Sequence, residues 1–325
     1  MNKTMLAILK ILNTHTDIVG SREIAKQLRV HGIDLTERTV RYHLKIMDER
    51  GYSEVFGKEG RRITEKGKRE MNHAHVSEKV GFVISRIEAL AYLTSLNLDT
   101  MKGNVILNIS YFPEERMKNA RSLLLDVFSS PFVMSDRLVI KRSGEKIGDA
   151  LVPEGKVGVG TVCSVTINGI FLKAGIPVTS RFGGVVEISE GEAVRFLSLI
   201  SYEGSSLDPL EIFIRSKMTD VIGAVKNRSG KILASFREIP VVCLDEAKRL
   251  AKRMAAQGIG GILLIGEPNR PLLEVPVGID KVGMAIVGGL NPVAAIEESG
   301  IPTDSKAMST LHEYSGLTSF QSVLR

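Results

Sequence analysis

The sequence predicts an α/β protein in which an N-terminal winged helix-turn-helix is followed by an internally duplicated α/β effector domain. Three observations predict it. The excess positive charge is confined to the first quarter of the chain; that quarter reads as three short helices and a basic, glycine-bearing turn; and the remainder writes one frame of residues twice at a fixed offset. At 325 residues the chain is long for one ordinary domain. The expected boundaries are 1–75 for the winged helix, 76–100 for a connecting helix and 101–325 for the effector domain, with pseudo-repeats over 104–188 and 230–312.

Residues 1 to 80 hold 16 Lys and Arg against 11 Asp and Glu, whereas residues 81 to 325 hold 27 against 26. A local excess of this kind points to a polyanionic partner for the first quarter alone. No run of 18 apolar residues occurs, and the opening "MNKTMLAILKILNTHTD" lacks a small-residue cleavage site, so a cytoplasmic protein with no membrane partner is expected. Two cysteines, Cys163 and Cys243, write neither a disulfide framework nor a zinc site. His73 and His75 form a His-x-His with no further ligands nearby, so no metal is expected.

The first helix is "TMLAILKILNTH", with Met5, Ile8, Leu9 and Leu12 on one face. The second, "SREIAKQLRVHG", starts with Ser21 as N-cap and stops at Gly32. The third, "TERTVRYHLKIMDERG", starts at Thr36, buries Val40, Leu44 and Met47 and closes at Gly51. Off its apolar stripe lie Arg38, Thr39, Arg41, Tyr42 and Lys45, donors that can reach base edges and phosphates from a major groove. "YSEVFGKEGRRITEKG" then reads as a strand, a turn carrying Lys58, Arg61 and Arg62, and a return strand, the pattern of a wing. Thr36 and these eight side chains are the expected DNA contacts.

"VSEKVGFVISRIEALAYLTSLNL" follows without a Pro/Gly/Ser-rich linker, and its apolar spacing predicts a helix joining the two parts. Beyond it, laying Gly158 on Gly283 aligns "VGVGTVCSVTINGIFLKAGIPVTSR" with "VGMAIVGGLNPVAAIEESGIPTDSK" without a gap, an offset of 125. Working backward, "NVILNISYF", "PEERMKNARSLLLDVF" and "DRLVIKR" parallel "GKILASFREI", "LDEAKRLAKRMAAQ" and "GIGGILLIGE". Each copy therefore reads strand, helix, strand, then Gly-rich strand, short helix and closing strand. Thr166 and Asn291 are expected to cap the short helices, and Gly-Ile-Pro to stop them. The joining stretch "YEGSSLDPLEIFIRSKMTDV" reads as a loop before a strand.

Hydroxyls and cations follow each helix stop. A helix N-terminus, a cation on an adjacent strand end and small residues allowing close approach are the parts of a small-anion site. The candidates are Thr161, Cys163, Ser164, Thr166, Asn168, Ser180 and Arg181 in the first copy, and Gly288, Gly289, Asn291, Ser305 and Lys306 in the second. The two half-sites either share a cleft or form two pockets. An enzyme is disfavoured, because the copies show no paired His and carboxylate, no Ser/His/Asp ordering and no Walker-type loop, and no catalytic residue is assigned.

"GTVCSVTINGIFLKAGIPVTSRFGG", "YEGSSLDPLEIF" and "VGGLNPVAAIEESGIP" behind a winged helix resemble the NrpR family, archaeal repressors of nitrogen-assimilation genes. The resemblance runs over almost the whole chain. It implies a homodimeric repressor that binds double-stranded DNA at an inverted-repeat operator and is released by 2-oxoglutarate, a small-molecule effector with no other cofactor. Some members carry two effector domains. This chain has room for one, which leaves open whether it acts with a second NrpR-type polypeptide. The residues alone equally accept a winged-helix regulator answering a different small anionic metabolite.

Overall fold

Apolar residues at three- and four-residue spacing build the first unit. The computed structural model describes residues 3–15, 17–30, 32–57, 59–73 and 81–323, and the chain divides into Met1–Val80 and Gly81–Arg325. In the first unit, α1 (Lys3–Thr14), α2 (Ser21–Val30) and α3 (Glu37–Glu49) bring Ile8, Leu9, Leu12, Ile24, Leu28, Val40, Leu44 and Met47 into one core. Thr36 caps α3 as expected, its side chain accepting from the Thr39 N–H. Ser21 does not cap α2. The Ile24 N–H donates to the Gly20 carbonyl, so Ser21 stands one residue inside, and its hydroxyl donates to Glu37 at 2.9 Å. Strands β1 (Ser53–Phe56) and β2 (Gly60–Ile63) pair antiparallel as the wing, Val19 bridges to Arg61, and α4 (Glu65–His73) follows.

The second unit opens with α5 (Phe82–Leu93), whose Val83, Ile87 and Ala91 pack with Cys163, Val165, Tyr202 and Met308. The helix expected over 76–100 is thus described over 82–93 as an integral part of this core, while residues 74–80, with His75, lie outside the described residues. Leu96 and Leu98 continue into the central core.

Both copies adopt the expected order. The first runs β3 (Asn104–Pro113), α6 (Met117–Phe128), β4 (Arg137–Lys141), a hairpin of β5 (Lys146–Ile147) and β6 (Ala150–Leu151), β7 (Lys156–Val162), α7 (Val165–Lys173) and β8 (Thr179–Ser189). Strand β9 (Glu192–Ser201) folds back on β8. Two short helices, α8 (Pro209–Arg215) and α9 (Val221–Lys226), lead to the second copy. That copy runs β10 (Gly230–Pro240), α10 (Leu244–Ala256), β11 (Ile262–Ile265), β12 (Lys281–Val287), α11 (Asn291–Glu298) and β13 (Asp304–Glu313), before β14 (Thr318–Ser319) and α12 (Phe320–Val323).

The copies exchange their closing strands. One sheet has the order β13-β3-β7-β4-β14 and the other β11-β12-β10-β8-β9, with every named pairing antiparallel. Each thus shows the strand arrangement of a ferredoxin-like βαββαβ unit whose last strand comes from the other copy. Gly-Ile-Pro marks the crossing point. Gly175 (φ 78°) and Gly300 (φ 84°) end α7 and α11 in the left-handed conformation, and the proline two residues on forbids further helix. The crossing helices pack with their destination: Ile296 and Ile301 join Ala120, Leu124 and Phe128 of α6, while Phe171 and Ile176 share a core with Ala247, Leu250 and Met254 of α10.

Three local expectations are corrected. Thr166 lies inside α7 and Asn291 begins α11, so neither caps; the N-cap positions are Ser164 and Leu290. Both side chains are fully buried and bind strand backbone instead, Thr166 Oγ1 accepting from the Ile106 N–H and Asn291 Oδ1 from the Leu233 N–H. The stretch after Tyr202 forms a helix, not a strand, because Asp208 caps α8 through the Leu210 N–H and Pro209 fills the first helical position.

Candidate nucleic-acid interface and ligand site

Helix α3 buries one stripe and leaves Thr36, Arg38, Arg41, Tyr42 and Lys45 exposed, with Thr39 half-buried beside them. Tyr42 is 63% exposed and presents both a ring and a hydroxyl on this face. Arg41 reaches Glu37 at 2.5 Å and the Ser21 hydroxyl at 3.2 Å. Those hydrogen bonds, Ser21 first and then Arg41, hold the Glu37 carboxyl below its ordinary range. A pair this exposed is weakly held, so Arg41 is free to exchange Glu37 for another anion. In the wing, Arg62 is exposed and lies over the Phe56 ring. Arg61 faces inward, pairing with Asp48 of α3 at 2.8 Å, and braces the wing against the helix. Lys58 lies outside the described residues.

In the second unit, the starts of α7 and α11 meet at one small cleft. Cys163, Ser164 and Val165 line it together with Gly289 and Leu290, which stand 125 positions after Ser164 and Val165. The approach is close: the Thr161 hydroxyl donates to the Gly289 carbonyl, and a Cβ on Gly289 would lie 2.3 Å from the Val162 carbonyl oxygen. Ile87, Asn108, Tyr202, Asp208, Leu210, Ala307 and Met308 complete the wall. The enclosed space is about 10 Å³, about enough for one water. Burial pushes the Cys163 thiol up to about 11 and the Asp208 carboxyl, with Glu211 adding to it, up to about 7.

Behind Ser164 lies Arg237, 1% exposed. Its Nη1 donates to the Ser164 carbonyl and to Asn168 Oδ1, and its Nη2 donates to Ser164 Oγ. Its Nε has no partner, and the buried Ser235 hydroxyl lies on the same face of β10. No ion pair to Arg237 is made among the described residues. Burial lowers its pKa to about 10, which leaves it charged at neutral pH.

Of the residues expected at the effector site, Cys163, Ser164 and Gly289 line the cleft. Thr161, Thr166, Asn168, Ser180, Gly288 and Asn291 sit around it as internal fasteners: Asn168 donates to Ser180, the Gly288 N–H to the Leu233 carbonyl, and Asn291 to Phe132 and Leu233. Ser305 accepts from Ser110 at 2.8 Å. Arg181 is exposed, 3.6 Å from Glu238, and does not line the cleft. Lys306 is exposed, its ammonium near Arg86 and Glu211, and its pKa is lowered first by desolvation and then by Arg86. Sequence reasoning missed Arg237, Asn108, Tyr202 and Asp208. One signal was present: in "ILASFREI", Ser235 and Arg237 fall on the same face of a strand that reads as buried.

The chain matches the model of the NrpR regulatory domains NRD1 and 2 over residues 80–319, and that of the Ribonuclease R winged-helix domain over residues 6–71. It is 38% identical to the global nitrogen regulator NrpRI of Methanosarcina mazei, covering 97% of both chains. It is 34% identical to the global nitrogen regulator NrpR of Methanococcus maripaludis over 95% of its own length and 54% of that protein. Among solved structures, a nitrogen repressor-like protein from Methanococcus jannaschii superimposes with a TM-score of 0.63 at 29% identity, covering 73% of this chain and 98% of that one. A winged helix joined to an NrpR regulatory domain, matched from end to end by a named regulator, places the chain in the NrpR family of nitrogen regulators.

Proposed function

We propose that this protein is a transcriptional repressor of nitrogen-assimilation genes, bound to an inverted-repeat operator as a homodimer and released by 2-oxoglutarate. The observation that carries the reading is the joining, in one chain, of a winged helix with exposed Arg38, Arg41 and Lys45 to a regulatory unit holding a buried, unpaired arginine. The first binds a polyanion by phosphate and base contacts. The second has the donors that a dicarboxylate seeks. A dimer supplies two reading helices for half-sites one helical turn apart or a multiple of it.

The cleft at about 10 Å³ is too small for a five-carbon dicarboxylate. Effector binding therefore requires the two copies to part, and that movement distinguishes the liganded state. A smaller anionic metabolite, which asks for a smaller opening of the same cleft, is the second reading. Titration of the full-length protein onto labelled operator DNA, with 2-oxoglutarate and a panel of smaller carboxylates, separates the two. Release by 2-oxoglutarate at concentrations where the others are silent supports the first reading; release by a smaller anion alone replaces it.

A further inference from the structure

Burying a cation away from any carboxylate is costly, and proteins avoid it unless something supplies the counter-charge. Among the described residues, Arg237 is the one basic residue in the buried interior. Its present acceptors are two neutral side chains and a carbonyl, all from the start of α7. The two nitrogens on the side-on face of the guanidinium, Nε and Nη2, form the fork that takes a carboxylate in two parallel hydrogen bonds. On that face Nε is unpartnered and Nη2 carries only the Ser164 hydroxyl, which lines the cleft. The buried Ser235 hydroxyl lies on the same face of the strand.

The duplication makes the position informative. Arg237 pairs with Met284 as Ser110 pairs with Val159, and it faces Ser180 as Ser110 faces Ser305. Arg237 therefore occupies the place of Ser110 in the other copy. At the offset of 125, Ser164 and Asn168 become Gly289 and Val293, which carry no polar side chain to hold a guanidinium. Ser110 satisfies itself on Ser305. The fold is doubled but the cation is not.

We propose that the regulatory unit binds one carboxylate ligand per chain, on the Nε and Nη2 face of Arg237 and in place of the Ser164 hydroxyl, and that the related position at Ser110 binds none. The inference rests on the reading of the unit as an anion-responsive regulator, but not on the identity of the anion.

Calorimetry on the full-length protein tests it, with 2-oxoglutarate and the smaller carboxylates as probes. The parent should bind its carboxylate with a stoichiometry of one per chain. Arg237→Lys keeps the charge and loses the fork; Arg237→Gln loses both. Each should weaken binding roughly ten- to a hundredfold, the loss expected for hydrogen bonds to a charged group. Ser110→Ala should leave affinity and stoichiometry unchanged. Two ligands per chain, or Arg237 variants that fold and bind as tightly as the parent, would overturn the proposal. A parent that ignores 2-oxoglutarate yet binds a smaller carboxylate through Arg237 sinks the effector assignment while upholding this site. If neither Arg237 variant folds, a structure of the liganded parent decides: the carboxylate lies within hydrogen-bond distance of Nε, or the proposal fails.

Discussion

At the scale of single residues, Asp208 carries a clear pH signature. Burial first, then the charge of Glu211, lifts its carboxyl from 3.8 to about 7, against a smaller opposing pull from the Leu210 and Glu211 amides and Arg86. The folded chain then keeps this proton longer than the unfolded chain does, so the contribution to stability falls as pH rises from about 4 to 7. The slope approaches about 1.4 kcal/mol per pH unit where the proton uptake is complete. Asp208→Asn retains a capping side chain and should flatten the dependence, read from urea midpoints at pH 5 and 7; an unaltered slope contradicts the assignment. In the winged helix, Arg41→Ala should cost about 1–3 kcal/mol on operator DNA with less loss on random DNA if it reads a base. Arg62→Ala should weaken both and reduce the salt dependence. Equal losses for Arg41→Ala on both DNAs make it an anchor. The exposed donors of α3 were legible in the sequence because a helix of known stripe assigns its other faces by geometry. The inward turn of Arg61 was not, since adjacent arginines in a two-stranded wing differ only in which side of the ribbon they take.

At the scale of elements, the frame of each copy was legible, because the repeat offset aligns helix stops, small residues and strands without a gap. The exchange of β8 and β13 was not. A repeated sequence states which strands are alike, and closed and exchanged pairings satisfy the same alternation of buried residues. The cleft follows from that exchange, as does a clamp at its edge. The register of β13 breaks between Lys306 and Thr310, where Met308 has φ 49°. Three side chains hold the break: Asn108 accepts from the Met308 N–H, Glu211 from the Ala307 N–H, and Arg86 of α5 donates through Nε and Nη2 to the Met308 carbonyl. Arg86→Ala leaves that carbonyl without its charged donor and should destabilise the chain by about 1–3 kcal/mol, measured by the denaturant midpoint. A loss below about 0.5 kcal/mol, the range of ordinary surface changes, shows that the clamp is not needed.

At the scale of the whole molecule, a ligand that releases DNA must bind the DNA-free protein more tightly than the DNA-bound one, and by the same factor that DNA affinity falls. A coupling of 1–3 kcal/mol, typical of such regulators, corresponds to roughly five- to 150-fold. Light scattering on the ligand-free protein should show a dimer at concentrations that saturate the operator; a monomer contradicts the paired reading helices. The most direct measurement is the affinity of the full chain for its operator with and without saturating 2-oxoglutarate, alongside the calorimetric affinity for 2-oxoglutarate with and without saturating operator. Both affinities should fall by one common factor in the parent, and Arg237→Lys should keep ligand-free operator affinity while staying bound at ligand concentrations that release the parent. An operator affinity that 2-oxoglutarate leaves unchanged in the parent, at concentrations where calorimetry shows the site filled, would contradict it.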